Sequence, residues 1–103
     1  IIFDCRFLKN PYWNTELMDL DGNSQLIQDF VSNSSEFNSF FSKVLSLLNF
    51  YIPQVQKEGK NQFSVGFGCT GGKHRSVVLV NKIMQKLKKD GYNILSKHRD
   101  IIS

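Results

Sequence analysis

The hydrophobic positions of this 103-residue chain form short continuous runs and long amphipathic stripes, the pattern of a mixed α/β protein. Residues 1–7 are mostly apolar and predict a buried strand with polar groups at its end. Residues 62–68 predict a second strand, and residues 93–97 predict a third. Each run has the length of a strand and lies next to turn-forming residues.

The amphipathic stripes predict helices between these strands. Apolar side chains recur at steps of three and four residues from 37 to 55, which predicts a long helix that Pro53 ends or kinks. Residues 77–87 repeat this spacing, and Gly91 is the natural stop of that helix. A shorter helix is predicted through residue 31, with Ser24 as its cap.

Strands and helices alternate along the chain, and this order predicts an α/β fold with a small parallel or mostly parallel sheet and flanking helices. At this length we expect a single domain over residues 1–103. The connection over residues 8–23 is long for a compact domain, which makes it a candidate functional loop. Ligands of such sheets gather beyond the carboxyl ends of the strands, so the residues after each strand are the first candidates for a site.

A glycine-rich segment follows the second predicted strand and begins the next helix. It carries hydroxyl, glycine and basic residues in one run: Thr70, Gly71, Gly72, Lys73, His74, Arg75 and Ser76. Backbone N–H groups at a helix N-terminus bind anions, and glycines let the backbone approach a ligand closely. Basic residues at the positive end of a helix oppose its dipole unless an external anion lies among them. The segment therefore predicts a phosphate site.

Two further polar clusters follow the other predicted strands. One cluster contains Asp4, Arg6, Asn10 and Tyr12, and the other is His98-Arg99-Asp100. Because the carboxyl ends of parallel strands share one edge, we expect the three clusters to meet there. Arg75 and Lys73 would then hold a phosphate. Asp4, Asn10 or Asp100 would contact other polar groups of the same ligand.

Other interpretations of the glycine-rich segment stay open. It is compatible with a plain tight turn between strand and helix. It is not a Walker A loop, because Gly72-Lys73 is followed by His74 rather than by Ser or Thr. Cys69 and Arg75 have the Cys-x5-Arg spacing of cysteine-dependent phosphatases, in which a thiolate attacks phosphorus. This alternative lacks the His that such enzymes place before the cysteine.

The other clusters also have plain alternatives. His98-Arg99-Asp100 is similar to a kinase motif, but nothing else of a kinase is present, and an exposed strand end explains it equally. Tyr12 and Trp13 are either a core plug for the long loop or a surface that stacks on a sugar or a base.

Charge and composition add one expectation about partners. The formal net charge is +4 and the apolar fraction 41%, values of a mildly basic globular protein that favours anionic partners. Lys82, Lys86 and Lys89 lie opposite the apolar stripe of their helix. Either a solvated face or contact with a nucleic-acid backbone accounts for them.

Cysteine usage and chain ends bear on localisation. Two cysteines predict reduced thiols of a cytoplasmic protein rather than a disulfide framework. No apolar run reaches the length of a membrane-spanning helix. The chain opens on Ile1 rather than Met, from which we expect it to be part of a longer protein.

Together these residues resemble the C-terminal domain of the RapZ family, bacterial RNase adapter proteins also called YvcJ-like nucleotide-binding proteins. The matching segments are Asp4-x-Arg6-Phe7-x-x-Asn10-Pro11-Tyr12-Trp13, Phe30-Val31, residues 68–77 and His98-Arg99-Asp100. They cover nearly the whole chain, and the run from Gly68 to Val77 is long and specific.

The resemblance implies a phosphofructokinase-subdomain-like fold and a regulatory binding role, not catalysis, for this domain. Full-length members add an N-terminal P-loop domain that binds ATP or GTP, and the family is oligomeric, so a homo-oligomer is expected. Enterobacterial members bind glucosamine-6-phosphate and small RNAs, which they present to an endoribonuclease. Carried over by position, the phosphate site would be Thr70, Gly71, Gly72, His74 and Arg75.

The RNA-binding role depends on fewer matching residues. Enterobacterial members use a Lys/Arg-rich tail, whereas this sequence ends at Asp100-Ile101-Ile102-Ser103. The RNA contacts would then come from Lys82, Lys86, Lys89, Lys97 and Arg99. Sugar-phosphate binding is therefore the better supported expectation, and the resemblance calls for no cofactor and no metal ion in this domain.

Overall fold

A two-stranded parallel sheet and three α-helices make up the structure, a computed structural model that describes residues 1–60, 62–69, 73–96 and 98. In chain order the elements are β1 (Ile2–Asp4), a 3-10 helix (Pro11–Trp13), α1 (Gln25–Ser32), α2 (Ser35–Lys57), β2 (Gly66–Gly68) and α3 (Arg75–Lys89). The strands pair in register, with Ile2 opposite Gly66 and Asp4 opposite Gly68. The predicted α/β class with a small parallel sheet is confirmed.

The strands are shorter than the hydrophobic runs that predicted them, and the prediction of a third strand was wrong. Residues 93–96 form no strand, and residue 97 lies outside the described residues. Ile94 and Tyr92 pack against the core while Leu95 is 97% exposed. Side chains hold this segment to the core, and it joins no backbone ladder in the described residues, so the apolar pair Ile94-Leu95 does not make it a strand.

Local signals set the ends of the helices. The Ser34 hydroxyl accepts a hydrogen bond from the backbone N–H of Phe37 at 3.1 Å and begins α2. Pro53 neither ends nor shortens this helix, which continues to Lys57 because packing of its apolar stripe outweighs one lost hydrogen bond. Gly59 and Gly91 follow α2 and α3 with φ of 82° and 97°, the left-handed conformation that stops a helix.

The core lies around α3, which packs against α1, α2 and β2. Val77, Val78 and Leu79 are fully buried at its start, and Ile83 and Leu87 continue the same stripe. Ile27 and Val31 of α1 fill the other side. Since burial of each such side chain contributes about 1.5–3 kcal/mol, α3 is the element that fixes the positions of the others.

No helix in the described parts of the chain combines the length and the hydrophobicity that a bilayer crossing requires.

Candidate functional site

The carboxyl ends of β1 and β2 meet the N-terminus of α3, as the parallel arrangement predicted. The backbone N–H of Cys5 donates to the carbonyl of Gly68 at 2.7 Å and extends the ladder past the strands. The N–H of Gly22 donates to the carbonyl of Lys73, also at 2.7 Å. The long loop over residues 8–23 is thereby joined to the start of α3, and residues 73–76 of the glycine-rich segment lie at the same edge as the cluster after β1.

Arg75 occupies the centre of this edge, but it is buried. Only 4% of the residue is exposed. One guanidinium nitrogen, Nη1, donates to the carbonyl of Arg6 and, at 3.3 Å, to the carbonyl of Leu8. Hydrogen bonds from a charged donor are stronger than neutral ones, so Arg75 holds the turn after β1 in place. At least part of its predicted phosphate-binding capacity is therefore used by the protein itself.

His74 has a similar structural contact. It is 7% exposed, and its Nε2 forms a short hydrogen bond with the carbonyl of Leu20. A carbonyl only accepts, so Nε2 carries the proton. Gly22 lies beside it, and a Cβ on Gly22 would come within 2.9 Å of the His74 carbonyl and 2.6 Å of the Val77 Cβ. Only glycine allows this approach of the long loop to α3.

Cys69 and Ser76 form a pair at the base of the glycine-rich segment. The Cys69 thiol donates to the Ser76 hydroxyl, and the backbone N–H of Ser76 donates to the sulfur, both at 3.4 Å. Ser76 is 6% exposed, so its hydroxyl is largely shielded from solvent and accepts the hydrogen bond from Cys69. Cys69 follows β2 directly and Ser76 lies in the first turn of α3, so this pair joins the end of the strand to the start of the helix.

Asp4 and Arg6 form an exposed ion pair at the end of β1. Nη2 and Nε of Arg6 donate to the Asp4 carboxylate at 2.6 and 2.9 Å, and the Arg6 backbone N–H adds a third contact. These hydrogen bonds lower the pKa of Asp4 from its ordinary 3.8 to about 2. The carboxylate stays charged at any physiological pH.

Asn10, Tyr12 and Trp13 lie in the following turn. The Asn10 side chain accepts from the backbone N–H of Tyr12 at 3.1 Å and caps the 3-10 helix. Tyr12 is 54% and Trp13 82% exposed, and their rings meet edge to face. The core-plug interpretation of these aromatics was wrong, because the buried residue of this turn is Pro11.

Several predicted site residues lie outside the described residues: Thr70, Gly71, Gly72, Lys97, Arg99 and Asp100. Lys73, the exposed residue before His74, and His98 are described. His98 hydrogen-bonds the Asn81 side chain at 3.0 Å, which places it beside α3. The described part of the chain holds no cluster of residues that suits a metal ion.

A separate basic groove of about 850 Å³ lies between α3 and the junction of α1 and α2. Four lysines line it: Lys82, Lys86, Lys88 and Lys89. Phe37 and Phe41, stacked at 6.1 Å, form part of its wall. The structure thus brings together three lysines that the sequence singled out and adds Lys88.

Sequence reasoning missed Lys88 and Gly22. Lys88 lies beside a predicted lysine on the same helix, and the run Lys88-Lys89 was a visible signal. The close approach of Gly22 to Val77 joins positions far apart in sequence, which no local pattern reveals.

Fold and site together define a small α/β domain with a polar edge at its strand ends. The sequence model of the family described as the RapZ C-terminal domain matches residues 1–102. The chain belongs to this family, as its motifs predicted.

Three curated relatives support the assignment. The chain is 44% identical over 101 residues to a nucleotide-binding protein of Ruegeria sp., and this alignment covers 98% of the chain and 34% of that protein. It is 41% identical over 101 residues to a nucleotide-binding protein of Ruminiclostridium cellulolyticum, and this alignment covers 98% of the chain and 35% of that protein. A Clostridioides difficile nucleotide-binding protein is 43% identical over 100 residues, and this alignment covers 97% of the chain and 35% of that protein. The chain spans about a third of the length of these relatives.

Proposed function

We propose that this domain is a regulatory binding module, not an enzyme, that recognises a phosphorylated amino sugar of the glucosamine-6-phosphate type. In response it binds small RNA and presents it to an endoribonuclease. The observation that carries the proposal is the meeting of both strand ends with the N-terminus of α3, where Lys73, Arg75 and the Asp4–Arg6 pair lie.

The chemistry of this edge suits a ligand with a phosphate and an ammonium group. The N-terminus of α3 and the exposed Lys73 favour an anion. The ionised and exposed Asp4 favours hydroxyl or ammonium groups nearby. Membership of the RapZ C-terminal family and relatives named nucleotide-binding proteins are consistent with a phosphorylated ligand.

The buried contacts of Arg75 change the assignment of roles within the site. Because Nη1 holds the carbonyls of Arg6 and Leu8, Arg75 positions the turn that carries Asp4 and Arg6. Lys73 is the described basic residue with an exposed side chain at the start of α3. In this proposal Lys73 contacts the phosphate directly, together with the amides of residues 70–72.

Calorimetric titration of the chain with glucosamine-6-phosphate and with glucosamine tests the proposal. We expect heat from the phosphorylated sugar and at least tenfold weaker binding of glucosamine. Lys73→Ala should weaken phosphate-sugar binding by about tenfold, the effect of roughly 1.4 kcal/mol. Lys43→Ala on α2 is the matched control, because Lys43 is also an exposed lysine and its ammonium donates to the Ser39 hydroxyl, away from this edge.

Equal affinity for both sugars would exclude a phosphate receptor. Tighter binding of a nucleotide than of the sugar phosphate, in the same titration, would keep the phosphate site and contradict the amino-sugar assignment. The proposed homo-oligomer stays a prediction, which the sedimentation velocity of the same sample measures.

A cysteine-dependent phosphatase is the second candidate, and the Cys69–Ser76 pair is the observation that favours it. In the thiolate form, the Cys69 sulfur would accept hydrogen bonds from both the backbone N–H and the hydroxyl of Ser76, an arrangement that stabilises a nucleophile. Against it, Arg75 directs Nη1 to backbone carbonyls. Turnover of an aryl phosphate that disappears in Cys69→Ser would establish the phosphatase and overturn the binding-module proposal.

A further inference from the structure

The two cysteines of the chain follow the ends of adjacent strands. Asp4 is opposite Gly68 in the parallel register, and the Cys5 N–H donates to the Gly68 carbonyl at 2.7 Å. Cys5 and Cys69 therefore take the next pair of facing positions. Neighbouring strands lie about 4.8 Å apart, and a disulfide needs Cα atoms about 4.4–6.8 Å apart. The backbone spacing suits a covalent bond between the two sulfurs.

Side-chain surroundings agree with this spacing. Cys5 is fully buried in the main hydrophobic core, and the partly buried Cys69 packs against the same core. Burial is the main cause that raises the pKa of Cys5 to about 12, and the charge of a Cys69 thiolate is the next. The sulfur of Cys69 is thus close enough for its charge to act on the thiol of Cys5.

Access differs between the two sulfurs. Cys69 lines an open, mostly apolar cavity of about 530 Å³ between β2, α2 and α3, whereas Cys5 does not reach it. A small oxidant that enters this cavity meets Cys69 first. Cys5, protonated and enclosed, is available only to an atom already inside the protein, and the sulfur of Cys69 is such an atom.

We propose that Cys5 and Cys69 are a redox pair that forms a reversible intramolecular disulfide, with peroxide as the oxidant. The Cys69 sulfur attacks a peroxide oxygen, the O–O bond breaks, and sulfenic acid and one water result. The Cys5 sulfur then loses its proton and attacks the Cys69 sulfur. The S–O bond breaks, and hydroxide leaves with that proton as a second water. Two thiols lose two electrons in total, and one peroxide is reduced.

Disulfide formation would change the start of α3. The Cys69 sulfur is the hydrogen-bond partner of the Ser76 N–H and hydroxyl, at 3.4 Å each. A bond to Cys5 removes the thiol proton donated to Ser76 and turns the sulfur toward β1. Oxidation therefore acts on the first turn of the helix that carries Arg75. The Cys5–Cys69 disulfide can form whether or not the domain binds a sugar phosphate.

Intact-mass spectrometry after thiol blocking tests the pair. The reduced chain is treated with stoichiometric hydrogen peroxide and then with N-ethylmaleimide under denaturing conditions. We expect a monomer about 2 Da lighter than the reduced chain that carries no maleimide, and dithiothreitol should restore two reactive thiols. Peptide mapping should join the segments that contain Cys5 and Cys69.

Two variants keep the test decisive, with circular dichroism to show that each is folded. Cys5→Ala should accumulate a dimedone-reactive sulfenic acid at Cys69, since its resolving thiol is missing. Cys69→Ser should keep Cys5 reduced at the same peroxide dose. Two unreacted thiols in the wild-type chain, or a disulfide only between chains, would overturn the proposal.

Discussion

At the scale of single residues, Arg75 shows how burial changes a functional assignment. Its guanidinium holds two backbone carbonyls and is almost fully buried. Arg75→Ala would leave those two carbonyls without their hydrogen-bond donor and would open a cavity beside them. We expect it to lower the free energy of unfolding by about 3 kcal/mol, measured by urea denaturation. An unchanged unfolding midpoint would show that the Arg6 and Leu8 contacts add nothing to stability.

Asp4 gives a prediction about pH at the same scale. The Arg6 hydrogen bonds lower its pKa to about 2, below the 3.8 of the unfolded chain. A carboxyl with a lowered folded pKa contributes stability above its unfolded value, and that contribution is lost as the pH falls from about 4 toward 2. The carboxyl carbon resonance of Asp4 should therefore titrate near pH 2.

The matched variant is Arg6→Ala, which removes the guanidinium but keeps the backbone N–H of residue 6, so the pKa of Asp4 should rise from about 2 toward 3.8. If the wild-type resonance already titrates at that value, the ion pair seen between Asp4 and Arg6 does not persist in solution.

At the scale of elements, the close approach of the long loop to α3 depends on Gly22. A Cβ there would overlap Val77 at 2.6 Å and approach the His74 carbonyl at 2.9 Å. Overpacking of this kind costs about 1–3 kcal/mol, so Gly22→Ala should lower the free energy of unfolding by that amount. Gly66→Ala is the control, since its Cβ would lie 3.6 Å from Ile2 in ordinary contact.

Calorimetric unfolding of both variants measures the difference. A Gly22→Ala chain as stable as the Gly66→Ala chain would mean that the loop moves away from α3 at no cost.

At the scale of the whole molecule, the net charge of +4 is concentrated in part on the basic groove of Lys82, Lys86, Lys88 and Lys89. If this groove contacts RNA phosphates, the binding constant should fall steeply with salt, since each neutralised phosphate adds about 0.7–0.9 to the slope of log K against log salt. Lys82→Glu with Lys86→Glu should weaken binding to a structured RNA and reduce that slope by about 1.4–1.8.

Lys43→Glu with Lys57→Glu makes the same change of charge outside the groove. Fluorescence anisotropy at several salt concentrations compares the two double variants. Equal loss of affinity in both would mean that only net charge attracts the RNA, and binding that ignores salt would contradict a phosphate contact.

The sequence by itself determined the family, the α/β class, the order of the helices and the edge at which polar groups meet. These follow from local quantities: hydrophobic period, turn residues and the residues that come after each strand. The stop at Gly91 and the stripe over residues 77–87 were predicted correctly for that reason.

Only the tertiary structure decided the roles of individual side chains. Three findings depend on partners distant in sequence: Arg75 and His74 bind backbone carbonyls of residues 6, 8 and 20, Gly22 must lack a Cβ, and residues 93–96 add no strand. A basic residue in a glycine-rich motif has the same sequence pattern whether it faces a ligand or the interior. Burial and the nearest acceptor, which the fold alone supplies, distinguish the two.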